Sequence, residues 1–337
     1  MALDELTKIF LPAIESKLRG VISITRKSGL EDLHTMLSYH MGWKGEGAGP
    51  EARGKRIRPL MVLLTSASLS SKWKPALPAA VSVELVHNFS LIHDDIQDKS
   101  DLRRGRPALW TIWGIPQAIN AGDTLFSLAQ MALTELADST THEIAIKSSK
   151  ILQETCIELT QGQYQDLAFE NLDDLSIDLY WDMVSGKTAS LMSASTQIGA
   201  LCTNASEGRV SAFGRFGYSL GLAFQVQDDL LGIWGDVAMT GKSTESDLIT
   251  RKKTLPIVFG LNQNKEFKKR WKKGAILAEE VSSVASLLEF EGAREFTEQQ
   301  VTRFTNQALA SLQEAEPSGL AGEALYEVSR RLIVRAS

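Results

Sequence analysis

The chain has 337 residues, 43% hydrophobic and 23% charged, with a formal net charge of −5. That length and composition suit a globular protein with a sizeable buried core. The mild acidity argues against a general nucleic-acid binder, which carries a basic excess. The N-terminal stretch mixes Asp4, Glu5, Lys8 and Glu15 with apolar residues and reads as no secretory signal. No run approaches the ~20 apolar residues that span a bilayer. The cysteines, Cys156 and Cys202, sit in no C-x-x-C pair and read as buried thiols in a reducing compartment. These features predict a soluble, cytoplasmic protein without a membrane span.

Residues 45–54 carry four glycines and a proline and predict a mobile loop. From 79 to 96, apolar residues recur at Val81, Leu85, Phe89, Ile92 and Ile96, steps of three and four that mark one face of a long helix. Residues 101–107 are polar and basic, a second loop. Residues 118–136, 148–167, 179–201 and 210–231 repeat the helical pattern. Glycine-containing breaks follow at 235–246 and 314–322. No break is a long linker, and alternating strand patterns are scarce. The expectation is an all-α fold in which residues 1–337 form a single domain, a bundle of roughly a dozen helices.

The sharpest local feature is His93-Asp94-Asp95-Ile96-Gln97-Asp98. On a helix, Asp94 and Asp98 share a face and Asp95 is displaced to one side. Like charges at i, i+4 repel, and bound Mg²⁺ would offset that, since it takes one or two carboxylates together with phosphate oxygens and water. A solvated acidic helix end is the other reading. Just beyond stands Arg103-Arg104-Gly105-Arg106-Pro107, and carboxylates beside guanidinium groups suit a metal–diphosphate ligand. A second acidic group, Gln225-Val226-Gln227-Asp228-Asp229, also ends an apolar helix, with Asp236 beyond it. Lys242, Lys252 and Lys253 follow. Two such clusters on two helices could clamp several metals. A third positive group is Gly54-Lys55-Arg56-Ile57-Arg58-Pro59. His87 lies seven residues before Asp94, on the same helical face and ~10 Å along the axis.

The run 87–98 with 102–107 resembles the first aspartate-rich motif of the farnesyl and geranylgeranyl diphosphate synthases, members of the trans-isoprenyl diphosphate synthase (polyprenyl synthetase) family. Residues 224–229 resemble the second such motif. Residues 54–59 resemble G-K-R-x-R-P, and Gly162-Gln163-Tyr164-Gln165-Asp166 resembles G-Q-x-x-D. Lys187-Thr188-Ala189 resembles K-T-A, and 252–256 resembles K-x-T-L-P. Six motifs in order span about residues 53 to 256.

The resemblance implies an all-α isoprenoid-synthase fold around a central substrate cavity. It also implies three Mg²⁺, isopentenyl diphosphate and allylic diphosphates as substrates, and a homodimer. Asp94 and Asp98 would bind metal on one side of the allylic diphosphate, with Asp95 supporting. Asp228 would bind a third ion, with Asp229 beside it. Arg103, Lys187 and Lys242 would contact the allylic diphosphate. Lys55, Arg58, His87 and Arg104 would hold isopentenyl diphosphate. Thr188 and Gln225 would turn oxygen dipoles to the allylic cation, Gln163 and Asp166 would order metal-bound water, and Lys252 would close over the site. Gly232 departs from the pattern, since many relatives carry a third aspartate there. Phe89 with the small Ser90 stands where relatives place an aromatic stop to chain growth, which implies a C20, geranylgeranyl product. Farnesyl (C15) or C25 synthases, a cyclising relative and a non-catalytic subunit are the alternatives. The isopentenyl set argues against the cyclase, and the two intact acidic clusters argue against the subunit.

Overall fold

The computed structural model describes residues 1–170, 172, 174–235 and 247–333. The predicted Lys242 and Asp236 lie outside these residues. The longer helices are α1 (Ala2–Ser23), α2 (Glu31–His40), α3 (Ile57–Leu69), α4 (Leu77–Gln97), α5 (Ile115–Thr134), α6 (His142–Phe169), α7 (Ile177–Val184), α8 (Ser190–Leu201) and α9 (Glu207–Trp234). After them come α10 (Leu255–Asn262), α11 (Val281–Phe290), α12 (Ala293–Glu314) and α13 (Gly319–Ile333). Among the described residues, strand pairing is confined to a hairpin of β1 (Leu102–Arg103) and β2 (Arg106–Pro107), with Arg103 opposite Arg106. The expected loop at 101–107 is thus a tight turn. Arg104 and Gly105 at its tip have φ of 54° and 71°, a left-handed pair that closes a two-residue hairpin.

Local chemistry sets the helix ends. Pro78, Pro116 and Pro256 sit in the first turns of α4, α5 and α10, where a missing N–H costs nothing. Ser176 caps α7 by accepting from the Leu179 N–H at 3.2 Å. The stretch predicted as one helix over 179–201 is interrupted. Residues Ser185–Ala189 form a π-helical turn between α7 and α8, a distortion common at functional sites.

The chain folds as two compact units. The first comprises Met1–Cys156, Ala194–Gly214 and Glu314–Glu327; the second comprises Ile157–Ser193, Arg215–Gln313 and the chain from Val328. In the first, α4 packs along α5. Small residues Ala118, Ala121 and Ala129 are fully buried there, and the Ser82 hydroxyl donates to the Ala129 carbonyl at 2.7 Å. The stretch Lys74–Gln97 is the one described helix long and apolar enough to cross a membrane, with mean hydropathy 1.2; 72% of that window is buried inside the protein. In the second unit, one core gathers Tyr180, Met183, Val226, Leu255 and Phe304, and another gathers Leu248, Ile257, Phe267, Trp271 and Leu288.

Candidate functional site

In the first unit, α4 delivers its carboxylates at its C-terminal end. Asp94 is half-buried and Asp98 exposed, whereas Asp95 turns inward and is 1% exposed. Arg103 Nε donates to Asp95 Oδ1 at 2.8 Å, and Nη2 reaches the same oxygen. Burial still pushes the Asp95 carboxyl upward, with Arg103 opposing, and its Oδ2 is buried without a partner. The hard oxygen donors of Asp94 and Asp98, with this orphaned oxygen beside them, fit a divalent ion such as Mg²⁺. Among the described residues no group of three or more His, Cys, Asp or Glu side chains forms a ready-made cage.

The cations of the first unit form a separate set. Arg58 Nη1 donates to His87 Nε2 at 3.2 Å. Burial, then Arg58, Arg104 and Arg56, hold the His87 pKa well below its ordinary value, so the ring is a neutral acceptor. Burial also lowers Arg58. It brings Arg104 down to about 10, with Arg56 and Arg103 adding repulsion and Glu84 opposing. Arg104 Nη1 donates to the carbonyls of Ala52 and Arg53, both at 3.0 Å. Gly54 (φ 72°) is required beneath it, because a Cβ there would lie 2.7 Å from Arg104 Cζ. Lys55 is exposed at the end of the same loop. Arg56, the middle cation of the motif, is structural. It bonds Glu15 at 2.9 Å, Glu84 at 2.6 Å and the Met41 carbonyl at 3.2 Å, and is 4% exposed.

Phe89 is half-buried, unlike Leu85 and Ile92 of the same stripe, which are 0% and 1% exposed. Its ring lies 5.1 Å from Phe126 on α5 and 4.9 Å from His93. Ser90 is buried and donates to the His87 carbonyl at 2.9 Å.

In the second unit, a pocket is lined by Asp166, Lys187, Thr188, Gln225, Asp229 and Lys252, among others. Four of the six sequence motifs thus meet in one place. Two glycines make this possible. A Cβ at Gly186 would meet the Glu158 carbonyl at 2.5 Å, and one at Gly162 would meet the Lys187 amide nitrogen. Without side chains there, α6 and the π-helical turn touch backbone to backbone, and Lys187 pairs with Asp166. Thr188 Oγ1 donates to Gln225 Oε1 at 3.0 Å, and Gln225 Nε2 donates to Asp229 Oδ1 at 2.8 Å. Asp229 Oδ2 also accepts from the Tyr180 hydroxyl at 2.6 Å and the Leu255 N–H at 2.8 Å. Burial raises Asp229 to about 6 against these donors and Lys252. Burial works to lower Lys252, but the carboxylates of Asp229, Asp166, Asp247 and Asp228 outweigh it and hold the ammonium charged.

Asp228 is half-buried one residue before this hub, and Gln163 is buried on α6. Sequence reasoning missed Tyr180, since a lone aromatic on an amphipathic helix carries no chemical signature. It also missed the consequence of Gly232. A Cβ there would collide with the Asp247 carboxylate, so a carboxylate from another segment covers this glycine.

The predominantly helical fold, with carboxylates on its helices and half-buried cations, suits an enzyme that handles diphosphates. Residues 49–289 match the polyprenyl synthetase family. The chain is 40% identical over 266 residues to a geranylgeranyl diphosphate synthase of Mycobacterium tuberculosis, covering 78% of this chain and 75% of that protein. It is 39% identical over 287 residues to a (2E,6E)-farnesyl diphosphate synthase of Mycobacterium bovis, covering 82% and 79%. The crystal structure of a polyprenyl synthetase from Streptomyces coelicolor superimposes with a TM-score of 0.87 at 33% identity over 99% of both chains. The chain belongs to the polyprenyl synthetase family of prenyltransferases.

Proposed function

We propose that this chain is a Mg²⁺-dependent, short-chain trans-prenyltransferase that joins isopentenyl diphosphate head-to-tail to dimethylallyl, geranyl or farnesyl diphosphate, ending at geranylgeranyl diphosphate. The observation that carries this reading is the half-buried cation set of the first unit. Arg58 and Arg104 are desolvated beside a neutral His87, a surplus of positive charge that calls for an anion. With Lys55 it forms an isopentenyl diphosphate site of the kind a cyclising enzyme does not need.

Asp94, Asp98 and Asp228 would hold the metal, three ions by resemblance. When bound, Mg²⁺ supplies charge neutralisation of the diphosphate leaving group. The rest is positioning and electrostatic stabilisation by the chain. Arg103, Lys187 and Lys242 bind the allylic diphosphate. Asp229 locks the Gln225 amide through its NH₂, so that Oε1, beside Thr188 Oγ1, stays directed to where positive charge develops at the allylic carbon. Lys252 and Asp166 keep the charge of the pocket balanced. No side-chain nucleophile is involved. Residues 1–337 act as one catalytic domain. The buried Cys156 and Cys202 suit a reducing cytoplasm, and the active form is a homodimer.

The test is incubation with Mg²⁺, isopentenyl diphosphate and primers of increasing length, with products read by mass. The C20 diphosphate is expected, together with loss of turnover in excess EDTA and a dimer mass by light scattering. Wild-type rates in EDTA would overturn the metal assignment, and a dominant C15 or C25 product the length assignment.

A further inference from the structure

Arg106 is absorbed by none of the roles above, yet it is one of the most fully engaged side chains in the first unit. It is 8% exposed on β2. Nε donates to the Glu46 carbonyl at 2.9 Å, Nη1 to the Tyr39 carbonyl at 2.9 Å and Nη2 to the Lys44 carbonyl at 2.8 Å. Its Cζ stacks 3.9 Å from the Tyr39 ring centroid, and the Tyr39 hydroxyl returns a bond to the Pro107 carbonyl at 2.9 Å. The guanidinium fills the cup of a glycine loop. A Cβ at Gly45 would lie 3.1 Å from Arg106 Nη2, and one at Gly47 3.4 Å from Arg106 Cγ. The loop predicted as mobile is therefore fastened along its first half. Its second half is fastened by Arg104, two residues earlier on the same hairpin, through Ala52, Arg53 and Gly54.

We infer that Arg106 is a positioning residue for the homoallylic diphosphate, isopentenyl diphosphate. It clamps the end of α2 and the segment of residues 41–54 to the hairpin, and so sets where Arg104 and the neighbouring Lys55 stand. This rests on the substrate reading given above. The clamp acts on one substrate because the hairpin's other arginine is held independently. Arg103 is fixed by Asp95, so the allylic contacts do not depend on the loop. A lysine in place of Arg106 cannot reproduce the clamp, since one ammonium lacks the planar fork that reaches three divergent carbonyls and stacks on an aromatic face.

The experiment measures KM for each substrate with the other saturating, in wild type, Arg106→Lys, Arg106→Gln and Tyr39→Phe, with amide hydrogen exchange over residues 42–49. Arg106→Gln is expected to raise KM for isopentenyl diphosphate about tenfold, the worth of one charge-assisted contact. KM for the allylic substrate and kcat should stay near wild type, and exchange in the loop should quicken. Arg106→Lys should fall between, and methylguanidine should partly restore the Gln variant. Tyr39→Phe removes only the return bond and gives a smaller shift in the same direction, which keeps the test open if the Gln variant fails to fold. Equal rises in both KM values, or an unchanged isopentenyl KM with faster loop exchange, would overturn the inference. Failure of the wild type to consume isopentenyl diphosphate at all would instead overturn the substrate reading.

Discussion

Gly162→Ala tests how closely the second unit's pocket depends on backbone contact. The added methyl meets the Lys187 amide nitrogen and lies 2.8 Å from both the Gly186 carbonyl carbon and the Met183 carbonyl oxygen. All three are backbone atoms, so no flexible side chain can swing aside. Restoring an ordinary contact of ~3.5 Å at the Lys187 nitrogen requires α6 and the π-helical turn to part by ~1 Å or more. Overpacking of this kind costs about 1–3 kcal/mol of stability. The larger effect falls on Lys187, which rides on the turn and pairs with Asp166 across it. Misplacement near ~1 Å at a positioning group costs about 10²-fold, or about 2.7 kcal/mol of transition-state stabilisation. Steady-state kinetics at saturating isopentenyl diphosphate should therefore show kcat/KM for the allylic substrate falling by about two orders of magnitude, in a variant that circular dichroism still finds folded. Wild-type kcat/KM in that folded variant would refute the argument.

Phe89→Ala should retain turnover and shift products to C25 or longer, read by mass; because Phe89 is half-buried, the stability loss should stay below the ~3–5 kcal/mol of a fully buried ring. An unchanged product distribution would place the limit elsewhere. Arg58→Ala or His87→Ala should mainly raise KM for isopentenyl diphosphate and Lys187→Ala should impair the allylic substrate; equal effects on both substrates would dissolve the division. Gly232→Asp should lower activity because its Cβ displaces Asp247, and a gain in rate would contradict this. Burial, then Arg104, Arg103 and Arg56, hold His40 well below its ordinary pKa. Folded protein thus binds fewer protons at this ring than unfolded chain, and stability is lost as pH falls below ~6.5. His40→Asn should flatten the fall of Tm between pH ~7 and ~5; an identical slope would remove His40 from the account.

Much of the site is legible in the chain because its chemistry is local. Asp94 and Asp98 are four residues apart on a helix, and helical geometry alone puts them on one face. The inward turn of Asp95 is not legible, since it depends on Arg103 arriving from the hairpin. Helix positions followed from periodicity, with 79–96 becoming Leu77–Gln97 and 210–231 becoming Glu207–Trp234. The π-helical turn at Ser185–Ala189 escaped that reading, because apolar spacing does not register one extra residue in a turn.

The sequence by itself determined the all-α class, the two acidic clusters on helices and the cation-rich segments beside them, because helix periodicity and charge type are properties of neighbouring residues. Tertiary structure alone decided which of those groups are spent on the fold. Arg56 goes to Glu15 and Glu84 and Arg106 to three backbone carbonyls, while Arg58 stays half-buried beside His87 and Arg104 takes two loop carbonyls of its own. It also decided that Asp229 is a buried hub holding Tyr180, Gln225 and the Leu255 amide. The physical reason is desolvation. A buried charge must find its partner, and partners tens to hundreds of residues away in sequence are supplied only when the chain has folded.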